Sequence, residues 1–287
     1  MLALRLKNMS LTKESVVVIT GAASGIGRAL AIRLARENIA GIAVSDVNAE
    51  GLAETEKLID KPNLKVTTHR VNSADENEMR EFAENVIEKH GRVTHVINNA
   101  GVALGGLVED VSLEDMRWLM DINFWGVVYG TKFFLPFLEK ETSAHIVNFS
   151  SLFGLIAPPG QATYCASKFA VRGFTESLRH ELAGTNINVS VVHPGGVKTN
   201  IANSAKIGAG VKISEKELAE RKEKMNKNLS RTTPEQAAET IVKGIKSRSP
   251  RILIGVDARL LSLIGRFFPR RYFSLINFIS GGRLKDV

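Results

Sequence analysis

The 287-residue chain has one cysteine, Cys165, so no disulfide can form within it, and a reducing, cytoplasmic compartment is the simpler expectation. No apolar run is long enough to span a bilayer. The opening Met1–Ser10 mixes apolar and basic residues without the apolar core and small-residue cleavage site of a secretory signal. Aromatic residues make up only 6%, and no aromatic-basic reader motif is present, so the net charge of +8 does not point to nucleic acid. The six histidines (His69, His90, His95, His145, His180 and His193) show no ligand spacing, so no metal site is expected. What is present, 44% hydrophobic and 24% charged residues, suits a globular protein with a substantial core.

Short runs rich in Val and Ile alternate with helical stretches. Val16–Thr20, Ile42–Ser45, Lys65–Val71, His95–Asn98, His145–Phe149, Asn188–His193 and Ile252–Val256 read as strands. Most lack an in/out alternation, as expected of strands buried on both faces. Helices fit between them over Gly27–Glu37, Glu50–Leu58, Asp75–His90, Leu113–Leu138, Ala162–Ala183 and Pro234–Ser247. Repeated strand-helix units predict an α/β fold, a doubly wound parallel sheet with helices on both sides. No internal linker or repeat divides the chain. Residues 1–256 read as one dinucleotide-binding and catalytic domain with an inserted loop at 199–233, and residues 257–287 as an amphipathic basic and apolar extension.

The turn Thr20-Gly21-Ala22-Ala23-Ser24-Gly25-Ile26-Gly27 follows the first strand and opens the first helix. Glycines there permit positive φ and close approach of the backbone to a ligand, and the helix start offers free N–H groups to a diphosphate. Asp46 closes the second strand, 19 positions beyond Gly27. An acid at that point hydrogen-bonds a ribose 2′-hydroxyl and repels a 2′-phosphate. With no Lys or Arg within Val44–Glu50, the expected cofactor is NAD in preference to NADP. Asp46 read alone could equally be a helix cap.

Ser151, Tyr164 and Lys168 are spaced as in a proton-transfer site. Lys168 follows Tyr164 by four positions, so the two share a helix face. A free phenol titrates near ~10. An ammonium ~4 Å away at an effective dielectric of ~20 is worth about 4 kcal/mol, enough to bring it to about 7. The alternative is an ordinary helical pair.

Taken together, the Thr-Gly-x-x-x-Gly-Ile-Gly turn, Asn98-Asn99-Ala100-Gly101, Asn123, Ser150-Ser151, Tyr164-x-x-x-Lys168 and Pro194-Gly195 resemble the classical short-chain dehydrogenase/reductase family over roughly residues 12–256. The resemblance implies a Rossmann-type sheet of about seven strands and a nicotinamide dinucleotide as hydride carrier. It makes Tyr164 the acid-base group and has Lys168 lower the phenol's pKa and hold the nicotinamide ribose. Ser151 would orient the substrate oxygen and Asn123 a relay water. Gly21, Ser24, Gly25, Ile26, Gly27, Asp46, Asn99, Ala100, Gly101, Pro194, Gly195, Val197 and Thr199 would surround the cofactor. Asn72-Ser73 stands where many relatives carry Asp-Val; either side chain would still bond the adenine, but the usual acidic contact is absent. The family also implies a homodimer or homotetramer through the helices at Leu113–Leu138 and Ala162–Ala183.

The implied reaction interconverts a secondary alcohol and a ketone. Reduction of a long-chain aldehyde or acyl thioester, or non-catalytic dinucleotide sensing, are the alternatives. Leu152, Phe153, Ile156, Pro158, Pro159, Gln161 and the Thr199–Ile207 segment are expected near the pocket, and their apolar character favours a lipophilic substrate. In the tail, Arg and large apolar residues interleave over Ala258–Ile279, and Pro269 divides two short helical segments. Three readings stay open: packing on a partner subunit or its own domain, a peripheral membrane contact, or a cover over the pocket entrance.

Overall fold

The computed structural model describes residues 11–201, 204–211, 217 and 232–279. Met1–Ser10, most of the 199–233 insertion and the last eight residues lie outside them. Strands β1 (Val16–Thr20), β2 (Gly41–Asp46), β3 (Lys65–Arg70), β4 (His95–Asn98), β6 (Ala144–Phe149), β7 (Ile187–Pro194) and β9 (Arg251–Ile254) form one sheet in the order β3-β2-β1-β4-β6-β7-β9. Every pairing is parallel. Helices α1 (Gly25–Ala35), α2 (Ala49–Leu58), α3 (Glu76–His90), α4 (Leu113–Met120), α5 (Gly126–Leu138), α6 (Ala162–Glu181) and α7 (Pro234–Lys246) accompany it.

Alternation along each central strand feeds two cores. On β1, Val17 and Ile19 face a cluster that includes Leu30, Leu34, Ile241 and Ile245, whereas Val18 faces one that includes Phe82, Phe134, Ile146 and Leu178. Both faces of β1 are therefore apolar, which is why Val16–Ile19 is an unbroken Val/Ile run. The chain builds outward from β1 through β2 to β3, then returns to lay β4 on the other side of β1. That reversal opens a crevice beyond the C-terminal ends of β1 and β4, where open α/β sheets bind ligands.

The expected single helix over Leu113–Leu138 is broken. Between α4 and α5, Asp121–Trp125 forms a wide π-helical turn, a local feature no periodicity reports. The strand expected to reach Val256 stops at Ile254, because Gly255 turns the chain at φ +92° and Val256 opens helix α8 (Val256–Phe267). Helix α9 (Tyr272–Ile279) follows. Two segments without strand periodicity, β5 (Leu104–Gly105) and β8 (Lys206–Ile207), pair in parallel and tie part of the insertion to the domain. Among the described residues, no helix is long and apolar enough to cross a membrane.

Buried imidazoles make the fold acid-sensitive. Burial pushes His145 down to about 3 and His193 down to about 4. Unfolded, each would take its proton near pH ~6.5. Stability is thus undiminished above that pH and falls as pH is lowered toward the folded values, by about 3 kcal/mol for His193 and about 5 kcal/mol for His145. Urea midpoints should drop steeply between pH 6.5 and 4.5; a flat profile there would refute burial of the neutral rings.

Candidate active site

The glycine turn after β1 is closed to side chains. Gly21 adopts φ +67°, and a Cβ on it would meet Ala100 Cα at 2.7 Å. A Cβ on Gly27 would lie 2.1 Å from the Gly21 carbonyl oxygen. Gly25 has φ +55° and faces Thr199, whose Cγ2 is 3.4 Å from an ideal Cβ there. Ser24 makes no side-chain cap on α1, so the first-turn N–H groups face the crevice uncapped, a cradle fit for a diphosphate. Asn99 staples the end of β4 to this turn: its Nδ2 donates to the Thr20 and Gly21 carbonyls at 2.9 Å each, and its backbone N–H donates to Thr20 Oγ1 at 3.1 Å.

Asp46 sits at the end of β2 as expected, and its Oδ2 accepts from Ala23 N at 3.0 Å while Oδ1 accepts from Asn48 N at 3.1 Å. It therefore braces the glycine turn from the side; the cap of α2 is instead Asn48, whose side chain accepts from Gly51 N. Arg28, one turn into α1, is engaged by Thr55, Glu54 and the carbonyls of Ala23 and Gly51. Strand pairing brings a second basic residue, Arg70, into register with Asp46, a neighbour that a separation of 24 positions hides in the sequence. Asn72 is exposed, with Oδ1 accepting from Ala74 N at 3.1 Å. Ser73 is buried beneath Gly126 of α5, so it faces packing.

Across the crevice, Tyr164 and Lys168 lie on the same face of α6, and Lys168 Nζ stands 5.7 Å from the Tyr164 ring centroid. The polarity balance differs from the simple pair picture. Burial pushes the Tyr164 phenol up, and the Ser151 hydroxyl, hydrogen-bonded to it, is what opposes that shift. The same dry surroundings draw Lys168 down to about 8, and its Nζ donates to the Phe149 carbonyl at 3.2 Å. Ser151 Oγ also accepts from Phe153 N at 3.1 Å, while Ser150 Oγ donates to the Lys168 carbonyl at 2.7 Å and is thereby turned inward. Asn123 lies in the π turn, its Oδ1 accepting from Val102 N at 2.8 Å and its Nδ2 donating to Val102 O at 3.0 Å. Gly101 separates it from the lysine: a Cβ there would be 3.1 Å from Asn123 Oδ1 and 3.3 Å from Lys168 Nζ.

Beyond these groups, Pro194 ends β7 and Gly195 N donates to Ile254 O at 2.9 Å. Val197 bridges to Thr232. Phe153 meets Tyr164 edge-on at 6.1 Å, while Leu152 and Ile156 are buried in packing. Gly105 brings Ile207 and Gln161 together on the opposite wall. Among the described residues, no group of His, Cys, Asp or Glu could hold a metal. Cys165 is buried, its thiol pushed up to about 11, in keeping with packing.

Three contributors escaped sequence reasoning. His193, for which the sequence suggested no role, is fully buried, and its Nδ1 lies 2.8 Å from the Ser151 carbonyl, which holds the backbone that carries the serine hydroxyl. Asp257, in the first turn of α8, accepts from Gly196 N at 2.6 Å and so clasps the turn after β7. Lys206 pairs with Asp115 and lies 5.2 Å from the Trp118 ring centroid, which fastens β8 over α4. All three act across long sequence separations; only the odd placement of His193 just before Pro194-Gly195 offered a signal.

A family model described as short chain dehydrogenase matches residues 15–209. SadH of Mycobacterium tuberculosis, an oxidoreductase by name, is 42% identical over 270 residues, covering 93% of this chain and 96% of SadH. The 3-oxoacyl-[acyl-carrier-protein] reductase FabG of Thermotoga maritima is 38% identical over 184 residues, covering 64% of this chain and 74% of FabG. The crystal structure of a short-chain dehydrogenase/reductase from Burkholderia phymatum in complex with NAD superposes with a TM-score of 0.78 at 30% identity, covering 87% of this chain and 92% of that one. The chain belongs to the short-chain dehydrogenase family, and it has that family's Rossmann-type sheet in a single domain.

Proposed function

We propose that this chain is an NAD-dependent oxidoreductase that interconverts a secondary alcohol and a ketone, with a lipophilic substrate favoured. The observation that carries this reading is the meeting of half-buried Ser151 and Tyr164 with buried Lys168 in one corner, opposite an uncapped glycine turn braced by Asp46. A nicotinamide dinucleotide bound there would supply the hydride acceptor or donor and, when oxidised, a positive charge beside the phenol. The NAD complex of the Burkholderia relative supports that choice of cofactor.

In oxidation Tyr164 takes the hydroxyl proton, and in reduction it returns it to the carbonyl oxygen. Ser151 places a second donor on that oxygen, where negative charge grows during reduction. Lys168, whose charged form burial disfavours, would hold the ribose of a bound dinucleotide and pass on the proton, and Asn123 keeps Val102 in place beside it. Gly21, Ser24, Gly25, Ile26 and Gly27 would receive the diphosphate, and Asn99, Ala100, Gly101, Pro194, Gly195, Val197 and Thr199 would wrap the nicotinamide half. Asn72 remains available to the adenine edge through its amide. Trp125, exposed at the end of the π turn, stacks on Tyr129 of α5 and Tyr129 in turn on Phe133, a row suited to subunit pairing in a homo-oligomer.

A panel of alcohols and ketones followed by nicotinamide absorbance with both dinucleotides tests the reaction; no turnover of any secondary alcohol or ketone would overturn it. Cofactor choice is tested separately. Asp46→Asn keeps an acceptor for Ala23 N but removes the charge that repels a 2′-phosphate. NADP use should rise about tenfold relative to NAD, as expected for loss of roughly 1.4 kcal/mol of repulsion. Adding Arg70→Gln should cancel that rise, since Arg70 is the cation beside the site. An unchanged kcat/KM ratio in Asp46→Asn would remove Asp46 from cofactor selection.

A further inference from the structure

The inner and outer sides of α8 differ sharply. Its inner side is fastened to the domain. Asp257 clasps Gly196, Ala258 is fully buried, and Gly265 lets the helix cross the pocket wall so closely that a Cβ would be 3.2 Å from Ile156 Cγ2 and 3.4 Å from the Leu155 carbonyl oxygen. Tyr272, opening α9, adds a second fastening: its hydroxyl accepts from Ala157 N at 3.1 Å.

The outer side has no such partners among the described residues. Val256, Leu260, Leu263 and Phe267 recur at i, i+4, i+7 and i+11 and so form one stripe. Their exposures are 80%, 52%, 54% and 68%, and Phe268 and Phe278 continue the apolar surface at 52% and 83%. A contiguous patch of large exposed apolar side chains marks an interaction surface. Arg259, Arg266, Arg270 and Arg271 are exposed beside the stripe. The one acid in the two helices, Asp257, is turned inward. The outward face thus pairs apolar area with positive charge unrelieved by any acid on α8 or α9, the combination that suits an anionic lipid surface and not a protein-like polar rim.

We infer that the outer face of α8 and α9 docks in the headgroup boundary of an anionic bilayer, with the stripe toward the acyl chains and the arginines on lipid phosphates. The helices lie on the membrane; they do not cross it. Because α8 and Tyr272 also contact Leu155–Ala157, just after the Ser151 turn, docking sets the pocket mouth against the lipid. Its use there, admitting substrate from the bilayer, rests on the lipophilic-substrate reading above; the docking itself does not.

Flotation of the purified full chain with vesicles decides it. The protein should rise with vesicles of mixed phosphatidylcholine and phosphatidylglycerol, stay behind with phosphatidylcholine alone, and be weakened by added salt. Replacing Arg259 and Arg266 together by Gln should weaken partition about thirtyfold. Leu263→Glu with Phe267→Glu should abolish it, with the melting temperature and the turnover of a short water-soluble ketone unchanged without vesicles. Failure of the unaltered chain to float on anionic vesicles overturns the inference, as does flotation of the Glu variant. So does a Glu variant whose only change is a smaller oligomer mass by light scattering, which would make the stripe a subunit contact. A chain that floats but turns over no alcohol or ketone defeats the reaction reading and leaves docking standing.

Discussion

Tyr164→Phe is expected to lower kcat by about a thousandfold, within the range a positioned acid-base group contributes, while the variant still binds the dinucleotide. The substitution removes one oxygen and leaves the ring edge-on to Phe153, so the fold should be little affected. The hydroxyl it deletes is the one hydrogen-bonded to Ser151, in surroundings that already push the phenol up. Single-turnover absorbance in the nicotinamide band, with dinucleotide affinity read by fluorescence, separates chemistry from binding. Turnover close to that of the unaltered enzyme would remove Tyr164 from the mechanism.

The second large effect concerns Gly27. A methyl group there would lie 2.1 Å from the Gly21 carbonyl oxygen and 2.6 Å from Asn99 Nδ2, and neither neighbour can retreat. The carbonyl belongs to the turn itself, and the amide is held by its bonds to Thr20 and Gly21. Gly27→Ala should therefore cost about 3 kcal/mol or more and abolish stabilisation of the melt by added NAD. Gly173→Ala supplies the matched control. It too lies in a helix, α6, but nothing stands within 4 Å of its Cβ, so the change should be neutral or stabilising by up to about 1 kcal/mol. Equal melting curves for the two variants would show that the turn tolerates a side chain.

Much of the fold was legible because its signals are local. Runs such as Val16–Ile19 are apolar on both faces, so they announce a doubly covered strand without reference to anything distant. The glycine turn and the Tyr164–Lys168 spacing are equally local, the first through positive φ and the second through helical period. The break at Asp121–Trp125 was hidden, since Asn123 meets Val102 21 positions away. The pairing of Leu104–Gly105 with Lys206–Ile207 was hidden for the same reason: two-residue strands have no periodicity to read. The expectation for Tyr164 was incomplete on physical grounds. Spacing places a cation beside a phenol, but it carries no information on burial, which here raises one group and lowers the other.

From sequence alone came the strand-helix alternation, the glycine turn, the acid at Asp46 and the order of Ser151, Tyr164 and Lys168, because each depends on contacts within a few residues. Tertiary structure alone decided which strand lies beside which, and with it the crevice between β1 and β4, the pairing of Asp46 with Arg70, and the grip of His193 on Ser151. It also decided which side of α8 is fastened and which is bare. Those outcomes depend on chain segments that meet only after the sheet has formed, and neither hydrophobic period nor residue spacing reports across that distance.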